Sequence, residues 1–254
     1  MSTCTVVRIL GNTLPPRDTA GRRHSTLRRI LEDEPKLRGA RKLYVINRIY
    51  DVGDLALTIN LLESHNADYR VIPFKAEADL IQINAARNFA IAYGQESAEW
   101  AVILDGDCEW TSDGWEPVID AMLSGDVYNQ TSHISIPHAR EGTSILAEPM
   151  VAFHQSSSQR FNPLLLFGNA EKLDLLYRLG HNPRNITELL GDNCDTRLAG
   201  YVTHRTTGEP AVELDVNLRM RLRAESVQNL QGRVRRGDNL ALDIGLSSQY
   251  FPLP

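Results

Sequence analysis

The chain has 254 residues, 42% of them apolar and 23% charged, with a net charge of −5. That length suits one large α/β domain or two small ones, and the composition is ordinary for a soluble globular protein. No apolar run approaches the ~20 residues a membrane helix needs, and the three cysteines are too few and too far apart for a disulfide framework or a metal-spaced pair.

The charge is uneven. Residues 1–48 carry 11 Lys+Arg against 4 Asp+Glu, and residues 49–254 carry 16 against 28. A basic amino-terminal segment on an acidic chain points either to an anion partner near the start or to a solvated helix face. The first residues, Met1 to Arg8, lack the charged-then-apolar order of a signal peptide. With so few cysteines, a cytoplasmic location is expected.

Thr5 to Leu10 reads as the first strand and ends in the loop Gly11-Asn-Thr-Leu-Pro-Pro16, followed at once by Arg17. A loop after the first strand of a doubly wound sheet borders the ligand crevice, so Asn12 and Arg17 are candidates for holding a ligand there. Ser25 to Leu37 reads as a helix, with Leu27, Ile30 and Leu31 on one face and Ser25 as a candidate cap. Arg41 to Asn47 is the second strand. Asp51, just beyond it, is a candidate for a ribose or base hydrogen bond, with a cap for the Asp54–Ser64 helix as its rival role.

Tyr69 to Phe74 reads as a third strand, with Pro73 implying an edge or a strand end. The Ile83–Tyr93 helix carries Arg87 and Asn88, and Arg87 is a candidate for reaching a pyrophosphate. Trp100 to Leu104 is an apolar, buried-type strand that stops at Asp105-Gly-Asp107. Glycine lets the backbone turn sharply there. Two carboxylates at the carboxyl end of a strand suit a hard cation, Mg²⁺ or Mn²⁺, that can bridge to phosphate. An ordinary Asp-Gly turn is the bland alternative.

Past the acidic turn, Thr111 to Trp115 leads into a helix ending at Leu123. Ser132–His138 and Pro149–His154 read as strands, leaving His138 and His154 at strand ends. Phe167 to Leu179 reads as a helix stopped by Gly180. A second acidic cluster follows at Gly191-Asp-Asn-Cys-Asp195, then a short strand, Tyr201–Arg205, containing His204. Residues 219–236 hold six arginines and one acid, which fits a diphosphate clamp, a nucleic-acid contact or a solvated helix. No Gly-x-Gly-x-x-Gly, P-loop or Gly-x-Ser-x-Gly elbow is present.

The order Asn84-Ala-Ala-Arg-Asn88, Gly94, then Trp100-x-x-x-Leu-Asp-x-Asp107 resembles the metal-binding region of GT-A glycosyltransferases, especially the family-2 type, over roughly residues 5–125. The usual Pro-Thr-Tyr-Asn-like run after the first strand and the Gln-x-x-Arg-Trp run are absent. The resemblance implies a GT-A-like, doubly wound mixed α/β sheet flanked by helices in a single domain. Residues 1–128 would form a donor-binding half and residues 129–254 an acceptor-binding half.

It further implies a divalent cation held by Asp107 with help from Asp105 and, in some such enzymes, a late histidine, here His204. Asp105 would also border the nucleotide-sugar, for which a UDP-sugar is the first expectation. Asp192 or Asp195 would deprotonate an acceptor hydroxyl, with an inverting course. The acceptor stays open among saccharide, small molecule, protein and modified nucleic acid. The alternatives are a nucleotidyltransferase, whose Gly-rich, Arg/Lys-bearing first loop is missing, and a catalytically silent GT-A-like protein that binds an anion.

Overall fold

The computed structural model describes residues 3–11, 22–47, 49, 52–72, 83–124, 131–140, 143–163, 172–182, 185–191 and 194–204. In chain order these form β1 (Cys4–Gly11), α1 (Arg22–Asp33), β2 (Ala40–Asn47), α2 (Val52–Ser64), β3 (Tyr69–Val71), α3 (Ile83–Gln95), β4 (Trp100–Asp105), β5 (Cys108–Glu109) and α4 (Ser112–Leu123). The second half supplies β6 (His133–Arg140), β7 (Thr143–His154), α5 (Leu173–Arg178), β8 (His181–Asn182), β9 (Asn185–Leu189), β10 (Arg197–Leu198) and β11 (Val202–His204).

The main sheet runs β3-β2-β1-β4-β7-β6-β11-β5, with β10 alongside β6, and β8-β9 form a separate ribbon. β1 to β4 are mutually parallel, whereas β7 runs antiparallel to both β4 and β6. The result is a single-domain mixed α/β sheet flanked by helices. Strands at its centre are covered on both faces, which is why β1 and β4 are nearly continuous apolar runs rather than alternating ones.

One face of the sheet packs Val7, Ile9, Ala101 and Ile103 against α3 and α5. The other packs Cys4, Val6, Val102 and Leu104 against Trp110 and the α4 residues Trp115 and Ile119. Trp110 and Trp115 meet edge to face, their ring centroids 4.9 Å apart. A third cluster joins Leu10, Tyr44 and Ile46 to Leu27 of α1 and Leu62 of α2. Ser25 lies inside α1, which begins three residues earlier, so it is not the cap of that helix. Thr111 does cap α4, its hydroxyl accepting the Gly114 N–H at 3.1 Å. Among the described residues no helix is long and apolar enough to cross a membrane.

Two glycines set the last strand in place. A Cβ on Gly114 would stand 2.2 Å from the Tyr201 carbonyl oxygen, and one on Gly200 2.2 Å from the Gly114 carbonyl oxygen. Only bare backbone lets the 200–201 segment cross the first turn of α4, where the Tyr201 N–H donates to the Gly114 carbonyl at 3.2 Å. β11 then continues between β6 and β5. Gly114→Ala is expected to cost about 1–3 kcal/mol, the range of overpacked interiors. Urea denaturation checks this, and a loss below about 0.5 kcal/mol, the scale of an ordinary surface change, would mean the crossing is not close-packed.

Candidate functional site

The carboxyl ends of the parallel strands align. Ile9 is paired with Asp105, and Gly11 with Asn47. β4 ends there at the acidic turn. A Cβ on Gly106 would stand 2.9 Å from the Ile9 carbonyl oxygen, so the turn passes directly over the end of β1 and needs glycine to do so. Asp107 is exposed at its tip, and Cys108 returns fully buried to the core.

A buried ion pair holds the returning chain from behind. Arg8 is 2% exposed in the middle of β1. Its guanidinium donates to the Cys108 carbonyl and pairs with Glu34 at 2.5 Å. Glu34 also accepts the Trp110 N–H at 3.0 Å and pairs with Lys42 at 2.9 Å. Burial pushes the Glu34 carboxyl up, but Arg8 and Lys42 outweigh it and hold the group below its ordinary value. The chain at Cys108 and at Trp110, around β5, is thereby fixed to β1, β2 and the end of α1.

Asp105 is held in front by two cations. Lys172, just before α5, places Nζ 2.6 Å from Oδ2, and Arg87 of α3 places Nη2 3.3 Å from Oδ1. Burial pushes the Asp105 carboxyl up, but Lys172 and then Arg87 overcome it and keep the group well below the usual carboxylate range. Arg87 is 2% exposed, donates to Asn84 Oδ1 at 2.9 Å and lies over the Phe161 ring at 5.2 Å. It is therefore not presented to a pyrophosphate. Its ligand here is Asp105. Asn88 brackets Phe161 through both backbone groups at 2.8 Å, and Asn84 donates to the Asn162 carbonyl at 2.8 Å. The Asn-x-x-Arg-Asn pattern thus fastens the 161–162 segment under the acidic turn. A cavity of about 10 Å³ among Arg87, Asp105, Lys172, Phe161 and Ile103 has room for no more than a water.

His138 comes to the same sheet end. Its Nε2 is 3.9 Å from Cys108 Sγ, and its charge acts on Asp105. The backbone of His204 is in register with Cys108, one residue from Asp107. The structure therefore gathers Asp105, Asp107, Arg87, His138 and the His204 backbone. Asn12, Arg17, Asp51, Asp192 and the Arg-rich 219–236 segment lie outside the described residues.

Asp195 is elsewhere. Its Oδ1 accepts the Ser132 N–H at 2.8 Å, and its Oδ2 is 3.2 Å from His133 Nδ1. His133 pairs with Phe153, which pairs with Ala101. That is four residues before Asp105, about 13 Å along the strand at the usual rise per residue. The structure thus sets Asp195 apart from the acidic turn, as a partner of the β6 amino end. His154 lies at that same far end, in edge contact with Trp100.

The residues met here without warning are Arg8, Glu34 and Lys172. For Arg8 a signal existed, because a charge inside an apolar central strand needs a buried partner. Lys172 carried none, since a lysine within the Phe167–Leu179 helix reads as solvated.

The donor set fits a cation of the Mg²⁺ or Mn²⁺ kind, which takes one or two carboxylates and completes its shell with water and substrate phosphate. Asp107 is exposed at the tip of the turn, where such a cation would be reached from solvent. No group of three His, Cys, Asp or Glu that could form an all-protein cage occurs among the described residues.

No protein-family profile matches the chain, and no curated protein matches it in sequence. Among solved structures, it is similar to the mannosyltransferase PcManGT from Pyrobaculum calidifontis in complex with GDP-mannose and Mn²⁺, at 14% identity and a TM-score of 0.53. The overlap covers 91% of this chain and 64% of that one, so this chain spans under two thirds of the mannosyltransferase's length. A glycosyltransferase involved in glycosylating the major capsid of PBCV-1 overlaps over 90% of this chain and 98% of its own at 11% identity, but its TM-score of 0.35 is too loose to bear on the fold. The fold is a GT-A-like mixed α/β sheet flanked by helices.

Two stability effects follow from the buried groups. Glu34→Gln leaves Arg8 uncompensated and is expected to cost about 3–5 kcal/mol by denaturant unfolding. A loss under 1 kcal/mol would show that Arg8 finds another partner. Burial also lowers the His133 pKa below its ordinary ~6.5. The unfolded chain therefore takes up this proton first, so the contribution is full above about pH 6.5 and is lost as pH falls through the folded value. Denaturation series between pH 7.5 and 5 are expected to lose this slope in His133→Gln, and an unchanged slope would place the titration elsewhere.

Proposed function

We propose that the protein is a nucleotide-sugar-dependent glycosyltransferase whose catalytic centre is the acidic turn at the end of β4. The observation that carries this reading is the placement of Asp105-Gly-Asp107 at the carboxyl edge of a GT-A-like sheet, with its backbone pinned by Arg8 and Glu34. Asp107 holds the divalent cation together with the donor's diphosphate, and His204, whose backbone runs beside Cys108, is its candidate neighbour. When bound, the cation offsets the negative charge that develops on the leaving diphosphate.

Asp105 acts from the second layer, tied to Arg87 and Lys172, and sets the turn's shape. Asn12, Arg17 and Asp51 follow the strands that border the same crevice and are assigned to base and ribose. The proton of the acceptor hydroxyl goes to Asp192, since Asp195 is engaged at the other end of the sheet. With a carboxylate base deprotonating the acceptor hydroxyl, transfer is assigned to a direct displacement with inversion. UDP- and GDP-sugars are the donors to try first.

A panel of nucleotide-sugars with and without Mn²⁺, read by thermal shift, tests the reading. A true donor at 100 times its Kd stabilises by about 2.7 kcal/mol. Asp107→Asn is expected to keep the fold and reduce transfer by about a hundredfold or more, the scale of losing one electrostatic stabiliser. Asp192→Asn is expected to lower kcat while donor affinity holds, and Asp195→Asn to change stability but not kcat. Near wild-type turnover of Asp107→Asn with the metal chelated would remove the metal-site assignment.

A further inference from the structure

Lys172 does more than hold the shape of the acidic turn. It is 6% exposed, yet it belongs to no motif. Its ammonium lies between Asp105 Oδ2 at 2.6 Å and the Met150 thioether at 3.7 Å. A buried ammonium is costly unless paired, so the Asp105 contact is its reason for lying there. Asp105 is already paired with Arg87 on its other oxygen, so the trio carries one net positive charge beneath the turn. Asp107, two residues on, is the exposed carboxylate of the pair.

We propose that Lys172 is a positioning residue that occupies the inner carboxylate of the acidic turn as a fixed internal cation, thereby restricting a divalent cation to Asp107 and weakening its hold in the absence of donor. The proposal rests on the cation-binding part of the reading above. Two effects act in the same direction. Lys172 withholds Oδ2 of Asp105 from the metal, and its charge repels a dication placed a few ångströms away. The cation then binds well only when donor phosphate supplies the missing negative oxygens. The turn would in this way discriminate against binding metal alone.

The test is Mn²⁺ titration of the full chain, free of nucleotide, with unbound Mn²⁺ counted by its solution electron paramagnetic resonance signal. Lys172→Met frees Oδ2 and removes the charge, so Mn²⁺ is expected to bind about tenfold more tightly, a factor that needs only a small part of the Coulomb term. Lys172→Arg keeps the charge and is expected to stay within about threefold of wild type, the scale of a replacement that alters geometry alone. Lys172→Gln, which retains a donor for Asp105, covers the case in which the methionine variant does not fold, and carries the same expected direction.

A merely structural lysine would lower the melting temperature without tightening Mn²⁺. Unchanged or weaker Mn²⁺ binding in the folded, charge-free variant overturns the proposal, and so does the absence of Mn²⁺ binding in all the proteins. GDP and UDP binding in the presence of Mn²⁺, measured on the same samples, separates the two questions. If wild type binds neither nucleotide, the glycosyltransferase reading falls, and the Mn²⁺ shift still decides the role of Lys172.

Discussion

The geometry of the acidic turn depends on the Arg8–Glu34 pair. Arg8 projects from the centre of β1, where every neighbour is buried, and its guanidinium has no route to water. Burying such a charge is unfavourable in itself and becomes tolerable only with a partner and satisfied hydrogen bonds. Glu34 provides the partner from the residue after α1, and the Cys108 carbonyl accepts a further N–H. Glu34 in turn takes the Trp110 N–H. One pair therefore joins the first strand, the end of the first helix and the chain on either side of β5. A hydrophobic replacement could fill the same space, but it would not dictate where the backbone after Asp107 goes. The pair gives direction, and that is what a site at a turn requires.

The same logic is repeated in front of the turn with the same stoichiometry. Behind it, one carboxylate faces the cations Arg8 and Lys42. In front, one carboxylate faces Arg87 and Lys172. Both acids are held ionised against burial, and each has more positive than negative charge around it. The acidic turn is thus flanked by two cation-rich clusters while exposing a single acid, Asp107, between them. An anionic diphosphate that approaches this edge meets positive potential before any metal is counted. This is consistent with a basic amino-terminal stretch in a chain that is acidic elsewhere.

Most of the framework could be read from the sequence because it follows local rules. Trp100–Leu104 and Thr5–Leu10 are apolar runs of strand length, and the structure has strands there. Thr111-Ser-Asp-Gly marks a helix start, and α4 begins there. Helix ends were less legible. α1 starts before Ser25 because its apolar positions, not a cap, decide where it packs. Long-range pairing was invisible: nothing in the order of residues says that Lys172 lies 67 positions from Asp105 in sequence but at contact distance in space. The second acidic cluster was ambiguous for the same reason. Asp192 and Asp195 look alike as neighbours in a Gly-Asp-Asn-Cys-Asp run, but only the sheet register reveals that Asp195 caps the amino end of β6.

The two ends of the sheet differ in the kind of polarity they bury. At the carboxyl end the polar groups are charged and arranged in unequal ion pairs. Towards the amino end, neutral hydrogen bonds place His133 between the Asp195 carbonyl and the Ser157 hydroxyl, and further along β6 Ser135 joins His181 and Thr196; the buried charges there, Asp174 and Arg178, form a one-to-one pair. A neutral network satisfies donors and acceptors without creating a field, so it can fix β6, β7 and β10 at little electrostatic cost to the rest of the sheet. A one-to-one ion pair such as Asp174–Arg178 adds no net charge, so its field falls off faster than that of an unequal cluster. The two clusters with one acid to two cations, Glu34 and Asp105 with their partners, both lie at the acidic-turn edge. The hydrogen-bonded far end fastens β6 beside β7, which pairs with β4, so the strand that carries the acidic turn is held in register at the end opposite its charged groups.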